Sequence, residues 1–207
     1  MPLATQSHTS GGAPRLLDFP TPAVSASSAP TLRGAPVPPA HRVYFYSSEE
    51  WEVFITEWAY GLADSYRQIK QLGGSGDRGV DVAAFKTDCG FEDAWDCFQA
   101  KHYNRSLNFS DAFPEMLKLL HGVMDDFYCL PDRYVFVAPQ GCGSTLNRLL
   151  SRPTELQKEF LEHLNKSGAA TRQYGEQTLN SIRELAESID FSIFQSLELK
   201  EMLEIHR

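Results

Sequence analysis

What the chain lacks narrows its function first. No stretch of 18 apolar residues occurs among its 207 residues, which predicts no membrane span. The first residues carry no basic start leading into an apolar run, so no secretory signal is expected. There is no excess of basic charge: 19 Lys and Arg stand against 27 Asp and Glu, a net charge of -8. That balance excludes a generally basic coat for nucleic acid. It leaves room for a nuclease, whose acidic metal ligands add negative charge while a local basic edge meets phosphates. The four cysteines (Cys89, Cys97, Cys129, Cys142) form no C-x-x-C, and the six histidines form no H-x-x-x-H or H-x-x-E-H. A structural zinc site therefore lacks its spacing signature. Reduced thiols in a cytoplasmic protein are the expectation.

Composition divides the chain unevenly. Residues 1–41 hold eight of the twelve prolines, and Phe19 is their one Phe, Trp or Tyr. Such a segment cannot bury enough apolar surface to offset its ordering entropy. The sequence thus predicts a disordered Pro/Ala/Ser-rich arm over 1–42 and a folded domain over 43–207. No internal repeat is visible.

The domain opens on Ser47 and Glu50, spaced as a capping box. Trp51, Phe54, Ile55, Trp58, Ala59 and Leu62 then recur at helical spacing. Strands are expected over 66–72, 80–85, 95–103 and 134–138. Helices are expected over 113–126, 146–150, 153–166, 177–188 and 197–206, with Pro114 near the first turn of its helix. In Gly141-Cys142-Gly143-Ser144-Thr145 no lysine precedes Ser144, so the phosphate-loop pattern fails, and Ser144 or Thr145 reads as a helix N-cap. Ile189, Phe191, Ile193 and Phe194 read as core. The order is that of an α/β domain with a core over about 43–140 and a helical extension over about 141–207.

Chemistry concentrates in Gly73-Gly74-Ser75-Gly76-Asp77-Arg78-Gly79-Val80-Asp81-Val82 and in Gln99-Ala100-Lys101. Residues two apart on a strand share a face. Val80, Val82 and Ala84 should face a core and Asp81 the other way. Gln99 and Lys101 should share one face, Phe98 and Ala100 the opposite one. An acid, an amide and a lysine then converge at the ends of two neighbouring strands. The carboxylate offers a hard oxygen for Mg²⁺, and the amide carbonyl orients water or completes the coordination. The ammonium stabilises charge on a phosphate. That is equipment for metal-assisted phosphodiester hydrolysis. Asp77 sits in a Gly-flanked turn where Asp is favoured for local hydrogen bonding.

These residues resemble the PD-(D/E)xK nuclease superfamily in its Mrr-like branch, where a G-G-x-G-D-x-G-x-D stretch precedes a strand carrying Q-x-K. Trp51-Glu52 is similar to the aromatic–Glu pair on that branch's first helix. The likeness spans roughly 44–206. With Trp95, His102-Tyr103 and Phe136-Val137-Ala138-Pro139-Gln140-Gly141, it is nearest the nuclease effectors of bacterial anti-phage defence, of cyclic-oligonucleotide, Lamassu and ABC-three-component types. The resemblance implies a restriction-endonuclease-like core, a mixed sheet flanked by helices. It implies a Mg²⁺-dependent endonuclease on double-stranded DNA, with Mn²⁺ as a substitute ion. Asp81, Gln99, Lys101 and Glu52 would be the active-site set, the two acids and Gln99 at the metal. Many members carry Asp or Glu in place of Gln99, and Glu52 would then supply the missing charge from the shoulder of its helix. Glu50 and Glu57 are second choices, and a merely solvated Glu52 is the competing reading. Arg78, His102, Arg105 and Lys70 would touch DNA. Single-site chemistry implies a homo-oligomer for double-strand breaks. The resemblance also implies an SMC/ABC-type ATPase or other defence subunit as partner. An Mrr-type modification-dependent restriction enzyme and a non-catalytic nuclease-fold module that binds DNA or a partner are the alternatives.

Overall fold

The computed structural model describes residues 37–72, 78–166 and 168–205. The segment 1–36, and the stretch 73–77 with Gly73, Gly74, Ser75, Gly76 and Asp77, lie outside the described residues. The compact unit begins at Val37 rather than at residue 43, because a one-turn helix, α1 (Pro39–Arg42), leads into the domain.

Helix α2 (Ser48–Tyr60) starts where the sequence places it. The Ser47 side chain accepts from the Glu50 amide and the Glu50 carboxylate accepts from the Ser47 amide. Trp51, Ile55, Trp58 and Ala59 are buried, so the apolar stripe is the face that packs. Strands β1 (Gln68–Gln71), β2 (Val82–Phe85) and β3 (Trp95–Ala100) follow, each shorter than expected. Helix α3 (Phe109–Met124) crosses to β4 (Arg133–Val137). Helices α4 (Ser144–Leu150), α5 (Pro153–Leu164) and α6 (Glu176–Ser188) lead to β5 (Phe194–Leu197) and α7 (Leu199–Ile205). The five strands run in the order β1-β2-β3-β4-β5, the first three antiparallel and the last three parallel. The change of sense follows from the connections: hairpin-length links allow antiparallel pairing, while the helical crossovers return the chain in parallel.

The sheet is buried on both faces. On one, Val82, Ala84, Phe98, Ala100, Val135 and Val137 pack under α2. On the other, Ala83, Cys97, Tyr134 and Phe136 pack under α3 and the later helices. Two expectations change. Residues 194–197, where only core residues were expected, add a fifth strand to the sheet, so the segment after residue 141 is partly sheet; the helix expected over 197–206 is α7. Phe194 still joins the core, as its apolarity requires. Pro114 lies in the second turn of α3, since the helix starts at Phe109 under an Asn108–Asp111 capping box. The proline forfeits one bond to Ser110, which is exposed. Similarly α4 is capped by Gly143, one residue before the expected Ser144.

At the start of β3 a buried carboxylate ties three strands. Asp96 is fully buried. Its Oδ2 accepts from Tyr66 Oη at 2.7 Å and from Arg133 Nη2 at 2.6 Å. Its Oδ1 has the Lys86 ammonium at 2.8 Å as counter-charge, without a well-directed hydrogen bond. Burial opposes the charge, yet Arg133, Lys86 and Tyr66 together hold the carboxyl below its ordinary range. The stability this pairing contributes is therefore present above about pH 4, where the unfolded aspartate is already ionised. It is lost as pH falls through the lower folded value. Asp96→Asn leaves Arg133 and Lys86 without their shared anion and should cost about 3 kcal/mol or more. Urea denaturation of both proteins at pH 7 and pH 3 checks this: the difference should be large at pH 7 and shrink in acid.

Candidate active site at the end of the sheet

The pairing of β2 with β3 builds the site. Val82 stands opposite Phe98 in an antiparallel register, so the residues just beyond, Asp81 and Gln99, also stand opposite and share the α3 face. Residues directly opposite on an antiparallel pair approach within 4.5–5.5 Å at their β carbons, which lets the two side chains bond. Gln99 Nε2 donates to Asp81 Oδ2 at 2.6 Å, and the Ala100 amide donates to the same oxygen at 2.8 Å. Both side chains are buried, 4% and 1% exposed. Lys101 leaves on the same face, two residues after Gln99. The expected alternation thus holds for Asp81, Gln99, Phe98 and Ala100. Val80 departs from it: it precedes the strand and packs with the α3 cluster.

Behind Gln99 lies a residue the sequence gives no reason to single out. Tyr134 of β4 is fully buried. Burial, then the nearby Cys97, Glu115 and Asp81, pushes its hydroxyl well above the ordinary range, so it keeps its proton. That hydroxyl lies 2.7 Å from the Gly79 carbonyl oxygen and 2.9 Å from Gln99 Oε1. A tyrosine hydroxyl has one proton to donate, and here two carbonyl oxygens face it. Turning the Gln99 amide over gives Nε2–H to the tyrosine oxygen and releases its proton to Gly79. It then sets Gln99 Oε1 against Asp81 Oδ2. In either orientation two acceptor oxygens face each other at one contact of the row, at Tyr134 in the first and between Gln99 and Asp81 in the second, and positive charge between Gln99 and Asp81 would relieve the second.

Lys101 is held by a carboxylate from α3. Its Nζ is 3.1 Å from Glu115 Oε1, and Lys118 Nζ meets Glu115 Oε2 at 3.1 Å. Burial works against the Lys101 charge, but Glu115 and Asp81 outweigh it and hold the ammonium above its usual range. Glu115 is 8% exposed. Its place among the apolar residues of α3 is a signal the sequence does carry: an acid on the buried stripe needs a cation.

The other expected site residues are dispersed. Glu52 points to the edge strand, where Gln71 Nε2 is 3.4 Å from its Oε2. α2 packs on the opposite face from Gln99, so Glu115, not Glu52, is the carboxylate that meets Lys101. Arg78, in left-handed backbone at φ 48°, pairs with Asp125 at 2.7 Å and lies over the Phe127 ring. Arg105 makes a two-pronged contact with Asp111, at 2.6 and 2.8 Å. His102 turns to the α2 face, where its Nε2 bonds the Val43 carbonyl at 2.9 Å. Lys70 is exposed on β1, and its ammonium lies 6.0 Å from the centre of the Phe85 ring. A separate cavity of about 510 Å³ opens beyond the ends of β4 and β5, lined by Tyr44, Gln140, Cys142, Glu198 and Leu203 among others.

Among the described residues no group of three or more His, Cys, Asp and Glu is placed to hold a metal ion. Mg²⁺ does not require one. It commonly takes one or two carboxylates and completes its shell with water and substrate phosphate. Asp81 Oδ2 and, with the amide turned over, Gln99 Oε1 are hard oxygens of that kind. The residues fit the ion. Comparison of the chain with protein-family models, with curated proteins and with solved structures returns no match.

Gly79 lets this end of β2 lie against α3. At φ +85° a Cβ there would sit 2.9 Å from Lys118 Cβ and 3.1 Å from the Glu115 carbonyl oxygen. Gly79→Ala should destabilise the domain by about 2 kcal/mol, from left-handed strain and displaced helix backbone. A thermal melt of the variant checks this, and an unchanged midpoint would show that the loop yields freely.

Proposed function

We propose that this chain is a Mg²⁺-dependent endonuclease that hydrolyses DNA phosphodiesters, with Mn²⁺ as a substitute ion, on a restriction-endonuclease-like core. One observation carries the reading. Asp81 and Gln99 form a buried cross-strand pair at 2.6 Å, and Lys101 leaves the same face two residues on. Asp81 and Gln99 would hold the ion. Bound there, it supplies Lewis acidity to a phosphoryl oxygen and makes water a better nucleophile at neutral pH.

The protein's part follows from its electrostatics. Lys101 stays protonated and gives positive charge to the phosphate as negative charge builds on its oxygens. Glu115 aims the ammonium while substrate is away, and Lys118 sits beside it to share the carboxylate when a phosphate draws Lys101 off. Hydrolysis joins the oxygen of water to phosphorus and breaks one P–O bond. The leaving oxygen then takes up a proton. Nearly full burial of Asp81 and Gln99 limits competing solvent around the ion.

Double-stranded DNA as substrate, a homo-oligomer as the species that cuts both strands, a cytoplasmic setting and service as an anti-phage effector beside an SMC/ABC-type ATPase or other defence subunit belong to the same reading. The resemblance of Gly79-Val80-Asp81 and Gln99-Ala100-Lys101 to Mrr-like nucleases supports them. Among the described residues no helix is long and apolar enough to cross a membrane.

Plasmid nicking with and without Mg²⁺ tests the proposal. Wild type should nick only with the ion, Asp81→Ala should not nick, and Lys101→Ala should lose on the order of 10²–10³ in rate while folding normally. Equal nicking by Asp81→Ala would place the chemistry elsewhere. Gln99→Glu offers a readout independent of cleavage. It sets a second carboxylate against Asp81, so its melting temperature should fall below wild type in chelator and rise again with Mg²⁺. A fall that Mg²⁺ does not reverse would show that no ion binds between the two residues.

A further inference from the structure

Resting on the metal-dependent reading of this site, we infer that Tyr134 is a positioning residue for the ion: through the Gly79–Tyr134–Gln99 row it decides which end of the Gln99 amide faces Asp81. The inference starts from the count of protons. Four contacts run in a line: Gly79 O to Tyr134 Oη at 2.7 Å, Tyr134 Oη to Gln99 Oε1 at 2.9 Å, Gln99 Nε2 to Asp81 Oδ2 at 2.6 Å, and the Ala100 amide to Asp81 Oδ2 at 2.8 Å. Two of them, the first and second, draw on the single hydroxyl proton of Tyr134.

The shared proton makes two arrangements close in energy. Without an ion, Gln99 gives its N–H to the Asp81 carboxylate, and Gly79 and Gln99 compete for the tyrosine proton. With an ion beside Asp81, the amide turns. Its carbonyl oxygen faces the cation, its N–H goes to the tyrosine oxygen, and the hydroxyl proton goes wholly to Gly79. The Tyr134 proton is then no longer shared, and each contact along the row sets a donor, or the ion, against an acceptor, which is the condition buried polar rows tend to satisfy. Tyr134 suits both arrangements because a hydroxyl both donates and accepts. Phenylalanine suits neither, and it is worse in the second, where it leaves the buried N–H of Gln99 with no acceptor.

The row also ends at a place of consequence. Gly79 lies against the backbone of α3 at Glu115 and against Lys118, and Glu115 holds Lys101. The ion-bound arrangement therefore anchors the Gly79 carbonyl more firmly, next to the helix that aims the lysine. A glutamine in place of the acid that many related nucleases carry makes this device possible, since only an amide has two unlike ends.

The test uses the full chain with Mn²⁺ and Mg²⁺ as the probes. Free Mn²⁺ is counted by electron paramagnetic resonance for wild type, Tyr134→Phe and Asp81→Ala. In parallel, the side-chain amide of Gln99 is followed in ¹⁵N-labelled wild type as Mg²⁺ is added, its signal identified by its loss in Gln99→Glu. Tyr134→Phe keeps the ring and should stay folded, with a lowered melting temperature from the lost contacts to Gly79 and Gln99. Its Mn²⁺ affinity should fall roughly ten- to hundredfold, the effect of stranding one buried donor. In wild type the Gln99 amide signal should move on Mg²⁺ binding as its N–H leaves a carboxylate for a phenol oxygen. Tyr134→Phe binding Mn²⁺ within about twofold of wild type would overturn the inference and leave the nuclease reading standing. So would a Gln99 signal unmoved by saturating Mg²⁺, whether or not the variant folds. A wild type that binds no Mn²⁺, or binds it equally with Asp81→Ala, would overturn both.

Discussion

Placing Val82 opposite Phe98 in an antiparallel pair commits every residue around them to a face. Phe98, Ala100, Val82 and Ala84 go under α2, and that apolar layer is what keeps the register from slipping. A shift of one residue would turn all four away from α2. The same commitment delivers Asp81, Gln99 and Lys101 to the α3 face as a consequence. Packing on one side of the sheet thus sets which side chains meet on the other.

Two buried aspartates on neighbouring strands show how much the surroundings of a carboxylate decide its use. Asp96 lies at the start of β3 with a tyrosine hydroxyl, a guanidinium and an ammonium gathered on it. Its charge is answered within the protein, and its role is to tie strands. Asp81 lies across from the far end of β3. Two amides donate to its Oδ2, and the lysine nearest in sequence and face is held by Glu115. On the proposed reading Asp81 holds a divalent cation, whereas the charge of Asp96 is already answered by Arg133 and Lys86. Reading only burial and residue type, the two would look alike.

Local pattern revealed much of this in advance and long-range pairing revealed little. The stripe from Trp51 to Leu62 and its capping box foretold α2, and two-residue alternation foretold the faces of Asp81, Gln99 and Lys101. Alternation could not choose a partner from another element. Glu52, next to Trp51, matched a motif, but its helix packs on the far face; Glu115, surrounded by leucines and phenylalanines, carried no motif and met the lysine. Phe194 to Leu197 pairs with Tyr134 to Val137 across 60 residues of sequence, and four residues are too few for a period to separate strand from helix. Pro114 misled because it usually marks a helix start, while the Asn108–Asp111 cap, opening six residues earlier, provided a stronger one. Tyr134 was legible only as an aromatic in a buried strand, since its hydroxyl gains meaning from Gly79 and Gln99, distant in sequence.

The account turns on positive charge belonging between Asp81 and Gln99, and anomalous diffraction locates it most directly. Crystals soaked in Mn²⁺ and measured near the manganese edge should show a peak within coordination distance of Asp81 Oδ2 and Gln99 Oε1, with the Gln99 carbonyl turned toward it. A fully loaded crystal with no peak there, or with its peak at another group of residues, would contradict the account.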